Sequence, residues 1–210
     1  MSMILYVDAH YVSPYAFSCW VALKEKQLPF EARPLQIATQ DHHDPIYRQR
    51  SLTGRIPAFA HDDFWLSESS AIVEYLDELF PSPHLMPKES KQRARARQVM
   101  AWIRSDLMAL REERPSATMF YTRPTKPLSE KGEAAANNLL RVASTLIADG
   151  KNQLFDDWSI ADADLAFVLH RLIANGYDVP EKIRHFATTQ WQRQSIRSWV
   201  EQARIEYQPY

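Results

Sequence analysis

The chain has 210 residues, enough for one large domain or two small ones, and its 45% hydrophobic and 24% charged residues sit near the globular average. Twenty-five Lys and Arg against 26 Asp and Glu leave a net charge of −1, which makes no electrostatic case for nucleic acid or an anionic membrane. The single cysteine, Cys19, excludes an internal disulfide, and with no Cys-x-x-Cys or Cys/His spacing for zinc neither dithiol redox chemistry nor a metal site is expected.

Met3-Ile4-Leu5-Tyr6-Val7 is an apolar run of strand formers, ended by Asp8-Ala9-His10. Ser13-Pro14 then opens a helix through Lys26, with serine at the cap and proline at the first helical position. Leu28 to Leu35 reads as a second strand, and strand, helix, strand within about 35 residues is a parallel crossover unit. Asp44-Pro45 marks a short helix, and His42-His43 reads as a solvated loop pair. Ile56 to Ala60 and Phe64 to Ser67 are close enough to form a hairpin, and a helix follows from Ser69 to Leu79. This order predicts a thioredoxin-like N-terminal domain over residues 1–80. The three prolines in residues 81–87 form a linker. Residues 88–210 then read as an all-helical C-terminal bundle, with helices 90–114, 129–148, 160–175, 180–187 and 189–206. No apolar run reaches the roughly 20 residues that span a bilayer, and no signal-peptide pattern opens the chain, so a cytoplasmic location without membrane attachment is the default expectation.

One stretch carries a conflict. Ile56-Pro57-Ala58-Phe59-Ala60 has strand character, yet Pro57 cannot donate a ladder hydrogen bond. A cis Ile56–Pro57 bond resolves it and turns the main-chain N–H and C=O of Ile56 outward, toward a peptide-like ligand. Eleven residues beyond the proline, Glu68-Ser69-Ser70 stand where a helix starts, and a helix start offers unpaired N–H groups and partial positive charge to a carboxylate. A main-chain clamp and an anion site one hairpin apart suit a short acidic peptide.

Ile-Pro, the hairpin, and Glu-Ser-Ser-Ala-Ile together resemble the glutathione site of the glutathione S-transferase family, and the α/β-plus-helical plan extends the resemblance over the whole chain. The finer combination of Ser-Pro-Tyr, Arg-Ile-Pro, Glu-Ser-Ser and the Arg-Glu-Glu-Arg-Pro turn at 111–115 is most similar to the bacterial YfcF type. The resemblance implies glutathione as co-substrate, no metal, and a serine-type enzyme in which Ser13 donates a hydrogen bond to the glutathione thiolate. Ser13 by itself reads first as a simple helix cap and only the partner motifs turn it toward the thiolate, with Tyr6, Tyr11 and Tyr15 the next candidates. By the family pattern Ile56 and Pro57 hold the cysteinyl backbone, Glu68 the ammonium and Ser69 the carboxylate of the γ-glutamyl end. The glycyl carboxylate falls to Gln40, His42, His43 or Arg55, with Gln40 and His43 put forward.

For the second substrate, a small hydrophobic electrophile, the resemblance points to Tyr11, Trp102, Asp106 and Arg111. It further implies a homodimer, a detoxification or oxidative-stress role and a possible glutathione-dependent peroxidase activity. Ser159 and Asp162 match the family's Ser-x-x-Asp capping box, a folding element. The competing reading is a non-catalytic glutathione-binding or regulatory protein of the same fold. A glutaredoxin-like oxidoreductase is disfavoured by the absent Cys-x-x-Cys.

Overall fold

The computed structural model describes residues 2–208. It contains two compact units, one of Met1–Leu85 together with Gln194–Tyr210 and one of Met86–Arg193. The first begins with strand β1 (Met3–Asp8), helix α1 (Pro14–Glu25) and strand β2 (Glu31–Leu35), followed by helix α2 (Pro45–Ser51), the hairpin β3 (Ala58–His61) and β4 (Phe64–Ser67), and helix α3 (Ser69–Leu79). The strands form one sheet in the order β2-β1-β3-β4, with β1 parallel to β2 and antiparallel to β3. Leu5 and Val7 of β1 are fully buried, as are Phe17, Val21 and Leu23 of α1 and Ile72, Val73 and Leu76 of α3. These side chains lie on one face of the sheet, where α1 and α3 pack together, while Tyr6, Ala58 and Ala60 cluster with Tyr47 of α2 on the other, so β1 is buried on both faces, as an apolar run without alternation requires. The buried Lys26 closes this unit behind α3, where its ammonium contacts Asp77 at 2.9 Å and the carbonyl oxygens of Phe80 and Pro83.

The second unit holds α4 (Ser90–Ser105), α5 (Met108–Glu113), α6 (Glu130–Leu146), α7 (Ile160–Ala174) and α8 (Glu181–Trp191). Helix α7 is buried from Ile160 through Leu172, and Leu165, Leu169 and Leu172 share one core with Leu139 of α6 and Ile183 and Phe186 of α8. A helix that is apolar nearly all round belongs at the centre of such a bundle.

Three sequence readings change. The helix expected over 90–114 is broken at Asp106–Leu107, because Leu107 adopts a left-handed φ of 61° while its side chain stays 1% exposed in the core. The break expected at residue 188 lies instead between Trp191 and Gln194, and the last helix, α9 (Gln194–Val200), stops well short of 206. Most consequential, the sequence places residues 194–208 in the second domain, whereas they pack with the first unit. Trp199, fully buried, makes edge contacts with Tyr11, Phe17 and Trp20, and the Trp20 indole N–H donates to Ser198 Oγ at 2.9 Å.

Candidate functional site

Register places the segments of interest at one end of the sheet. Tyr6 of β1 faces Ala58 of β3, Ala58 faces Ser67 of β4, and Asp8 faces Leu35 of β2. The chain therefore leaves β1 toward Ser13, enters β3 from Ile56, leaves β4 into Glu68 and leaves β2 toward Gln40 all at the same edge. Four separate loops converge there because β1 pairs parallel with β2 and antiparallel with β3, the first strand of the hairpin.

Ser13 is the N-cap of α1, with Pro14 at the first helical position, and its Oγ accepts the Ala16 N–H at 3.3 Å. Its side chain is partly exposed, and among the described residues its own hydroxyl hydrogen has no acceptor. The loop before it is held from within. Asp8, 2% exposed, accepts the Val12 N–H on Oδ1 and the Ser13 N–H on Oδ2, each at 2.9 Å. Burial raises the Asp8 carboxyl above its ordinary value, opposed by those two N–H groups and by His10. The sequence reading missed Asp8, although an acidic residue closing a buried apolar strand is a recognisable sign of a carboxylate with fixed partners.

The Ile56–Pro57 bond is cis, and β3 begins only at Ala58 because Pro57 has no N–H to give. Among the described residues the main chain of Ile56 makes no hydrogen bond. The approach to it is fixed, since Tyr47 Oη donates to the Arg55 carbonyl at 2.7 Å and the Gly54 N–H donates to Ser51 Oγ at 3.2 Å. Gly54 sits at φ 65°, and a Cβ there would lie 3.3 Å from the Arg48 side chain, so only glycine fits without displacement.

Glu68 caps α3 with its backbone at φ 70° and without a side-chain cap bond, and Ser69 is the first helical residue, 4% exposed. A non-glycine residue held at positive φ is a cost found preferentially at ligand sites. The first turn of α3 has no acidic side chain to compete with an external anion. Gln40 is also left-handed, at φ 61°, and leads into a 3-10 turn, Asp41–His43. The His42 and His43 rings lie 4.1 Å apart. Desolvation lowers the His42 pKa first, followed by the positive charges of His43 and Arg55, with Asp41 opposing and Arg48 adding to them, so this corner disfavours the charged form of His42.

Tyr11, expected at a second-substrate site, is 8% exposed between the rings of Trp20 and Trp199, and burial followed by the Asp8 charge raises its pKa. Trp102, Asp106 and Arg111 belong to the second unit, where the Trp102 indole N–H donates to Asp106 Oδ2 at 2.7 Å and Arg111 Nη1 donates to the Arg104 carbonyl at 2.7 Å. Ser159 and Asp162 close a capping box at the start of α7, with Asp162 Oδ2 accepting the Ser159 N–H at 2.8 Å and its hydroxyl at 3.0 Å. Cys19 is buried in α1 with Sγ 3.8 Å from the Ser69 carbonyl. Among the described residues no group of three or more His, Cys, Asp or Glu side chains is arranged to hold a metal ion, and no helix is long and apolar enough to cross a membrane.

Residues 9–84 match the family model for the glutathione S-transferase N-terminal domain, and residues 89–204 the model for the C-terminal domain. A glutathione transferase homolog from Burkholderia GL BGR1, crystallised with bound glutathione, is similar at a TM-score of 0.80 and 42% identity, covering 96% of this chain and 97% of that one. Glutathione S-transferase Z1 of Arabidopsis thaliana is 28% identical over 159 residues, 73% of this chain and 70% of the relative. A probable maleylacetoacetate isomerase of Vibrio cholerae is 30% identical over 109 residues, 51% of this chain, and the match spans 50% of that relative's length.

Proposed function

Because the chain belongs to the glutathione S-transferase family, we propose that it is an enzyme that uses Ser13 to stabilise the glutathione thiolate for attack on a small hydrophobic electrophile. The observation that carries this reading is the Ser13 hydroxyl. Its oxygen is engaged by the Ala16 N–H, its hydrogen has no acceptor among the described residues, and it stands at the positive end of a 12-residue helix. Glutathione lies along the free main chain of Ile56 beside Pro57, with its ammonium on Glu68 and its γ-glutamyl carboxylate on Ser69 and the amides opening α3. Its glycyl carboxylate goes to Gln40 and His43, beside His42 and Arg55.

Magnitudes limit what the hydroxyl can do. A hydrogen bond to a charged group contributes about 1.5–3 kcal/mol, and about 1.36 kcal/mol moves a pKa by one unit, so a thiol near 8.5 falls to about 6.5. The loss of basicity takes back much of the gain through a Brønsted slope of about 0.4–0.5. Alignment of the electrophile with the sulfur supplies the remainder. The same thiolate supports a side activity toward organic hydroperoxides, in which two glutathione molecules end as the disulfide. A homodimer in the cytoplasm completes the reading.

The test is conjugation of chlorodinitrobenzene and turnover of cumene hydroperoxide by the wild type and Ser13→Ala, with thiolate absorbance followed against pH. Ser13→Ala is expected to raise the pKa of bound glutathione and slow conjugation while its affinity changes little; an unchanged pH profile defeats the assignment. A second reading, suggested by the isomerase name of the Vibrio cholerae relative, is isomerisation, for which we infer that a glutathione thiolate adds to an activated double bond and is expelled after rotation. Product analysis separates the two: conjugation consumes glutathione, whereas isomerisation returns it.

A further inference from the structure

We propose that Asp8 is a positioning residue for Ser13, holding the serine where its hydroxyl meets the glutathione sulfur; the proposal rests on the function inferred above. The loop from Ala9 to Ser13 has little freedom. The Ala9 N–H donates to the Leu35 carbonyl at 2.9 Å, the Tyr11 N–H to the Asp8 carbonyl at 3.0 Å, and the N–H groups of Val12 and Ser13 take one Asp8 carboxylate oxygen each. From the other side, Arg204 Nη2 donates to the Tyr11 carbonyl at 3.3 Å while Arg204 Nη1 holds the carbonyls of Val200 and Gln202. Tyr11, between the two anchors, takes a left-handed φ of 51°, a conformation that persists only where its surroundings impose it.

Electrostatics argue that Asp8 acts by geometry. A carboxylate beside a thiolate site disfavours the second negative charge, so charge alone would make Asp8 a handicap to the reaction. Both its oxygens are occupied by backbone N–H groups, and the bond to Ser13 runs to the main chain, leaving the hydroxyl hydrogen to the sulfur. Asparagine is nearly isosteric but turns one acceptor into a donor, which faces an N–H of the loop. It therefore releases the serine without emptying the space.

The experiment is a double-mutant cycle on conjugation kinetics with the full chain: wild type, Asp8→Asn, Ser13→Ala and the pair. Asp8 can cost no more than the serine it positions, so Asp8→Asn is expected to lower kcat about three-fold, no further than Ser13→Ala, with the KM for glutathione little moved. In the Ser13→Ala background the same change is expected to have no cost, or to give a slight gain from the removed charge. Equal losses in both backgrounds would mean a merely structural role and overturn the proposal. A Ser13→Ala variant as fast as wild type would instead remove the serine function on which it stands, a different failure read from a different protein. Should Asp8→Asn lack a cooperative melting transition, Arg204→Ala replaces it in the same cycle, releasing the loop from the other side, with the same two outcomes deciding.

Discussion

Two buried groups of helix α7 oppose each other across mildly acidic pH. Burial lifts the Asp162 carboxyl from 3.8 to about 6, while burial lowers His170, whose Nε2 lies 3.0 Å from the Ala187 carbonyl, from 6.5 to about 4. As pH rises from 4 to 6 the folded protein keeps a proton on Asp162 that the unfolded chain has lost, so the Asp162 contribution to stability declines. Over the same range the unfolded chain binds a proton at His170 that the folded protein lacks, so the His170 contribution grows. Each shift of about two units is worth roughly 3 kcal/mol, and the two nearly cancel. His170→Gln is expected to expose the falling Asp162 slope, with a melting temperature that drops relative to wild type between pH 4.5 and 6.5. Asp162→Asn is expected to do the reverse. Parallel melting profiles for all three proteins would refute the opposition.

At the scale of elements, the capping box and the α4–α5 break invite direct tests. Ser159 is fully buried, and its hydroxyl and N–H both reach the Asp162 carboxylate. Ser159→Ala is expected to cost about 1–2 kcal/mol in denaturant unfolding while glutathione affinity of the folded fraction is kept. Leu107 poses a sharper choice, since glycine would relieve about 1 kcal/mol of left-handed strain but forfeit about 2–5 kcal/mol of core burial. Burial wins, so Leu107→Gly is expected to destabilise; a gain in melting temperature would reverse the ranking. The same comparison explains which elements could be read in advance. Helix α1 was legible because Ser13 and Pro14 signal its start locally, and the β3–β4 hairpin because two strands so close allow little else. The α4 break was not, because nothing in Asp106-Leu107 marks a turn until the leucine's burial is known. Ser13, Ile56 and Glu68 announce themselves as cap, pre-proline and helix start, whereas the role of Asp8 depends on a loop folding back over its carboxylate.

At the scale of the molecule, chain order and packing order disagree. The first unit is completed by residues far downstream: Trp199 fills its core against Tyr11, Phe17 and Trp20, Ser195 bonds Glu25, and the Gln208 N–H donates to His10 Nε2 at 3.2 Å. Loss of a fully buried tryptophan alone costs about 3–5 kcal/mol. A chain ending at Arg193 is expected to expose residues 2–85 to limited proteolysis while α6, α7 and α8 stay protected; equal protection of both units would contradict the division. Periodicity could not reveal this membership, because a terminal helix looks the same whichever core it completes.

Birth on the ribosome gives that arrangement a temporal meaning. Vectorial synthesis ordinarily lets the leading domain mature while the trailing one is still being translated. Here the leading unit waits for Trp199, so the bundle around α7, encoded before it, can finish first, and the core of the leading unit stays incomplete until residues 194–208 have been made.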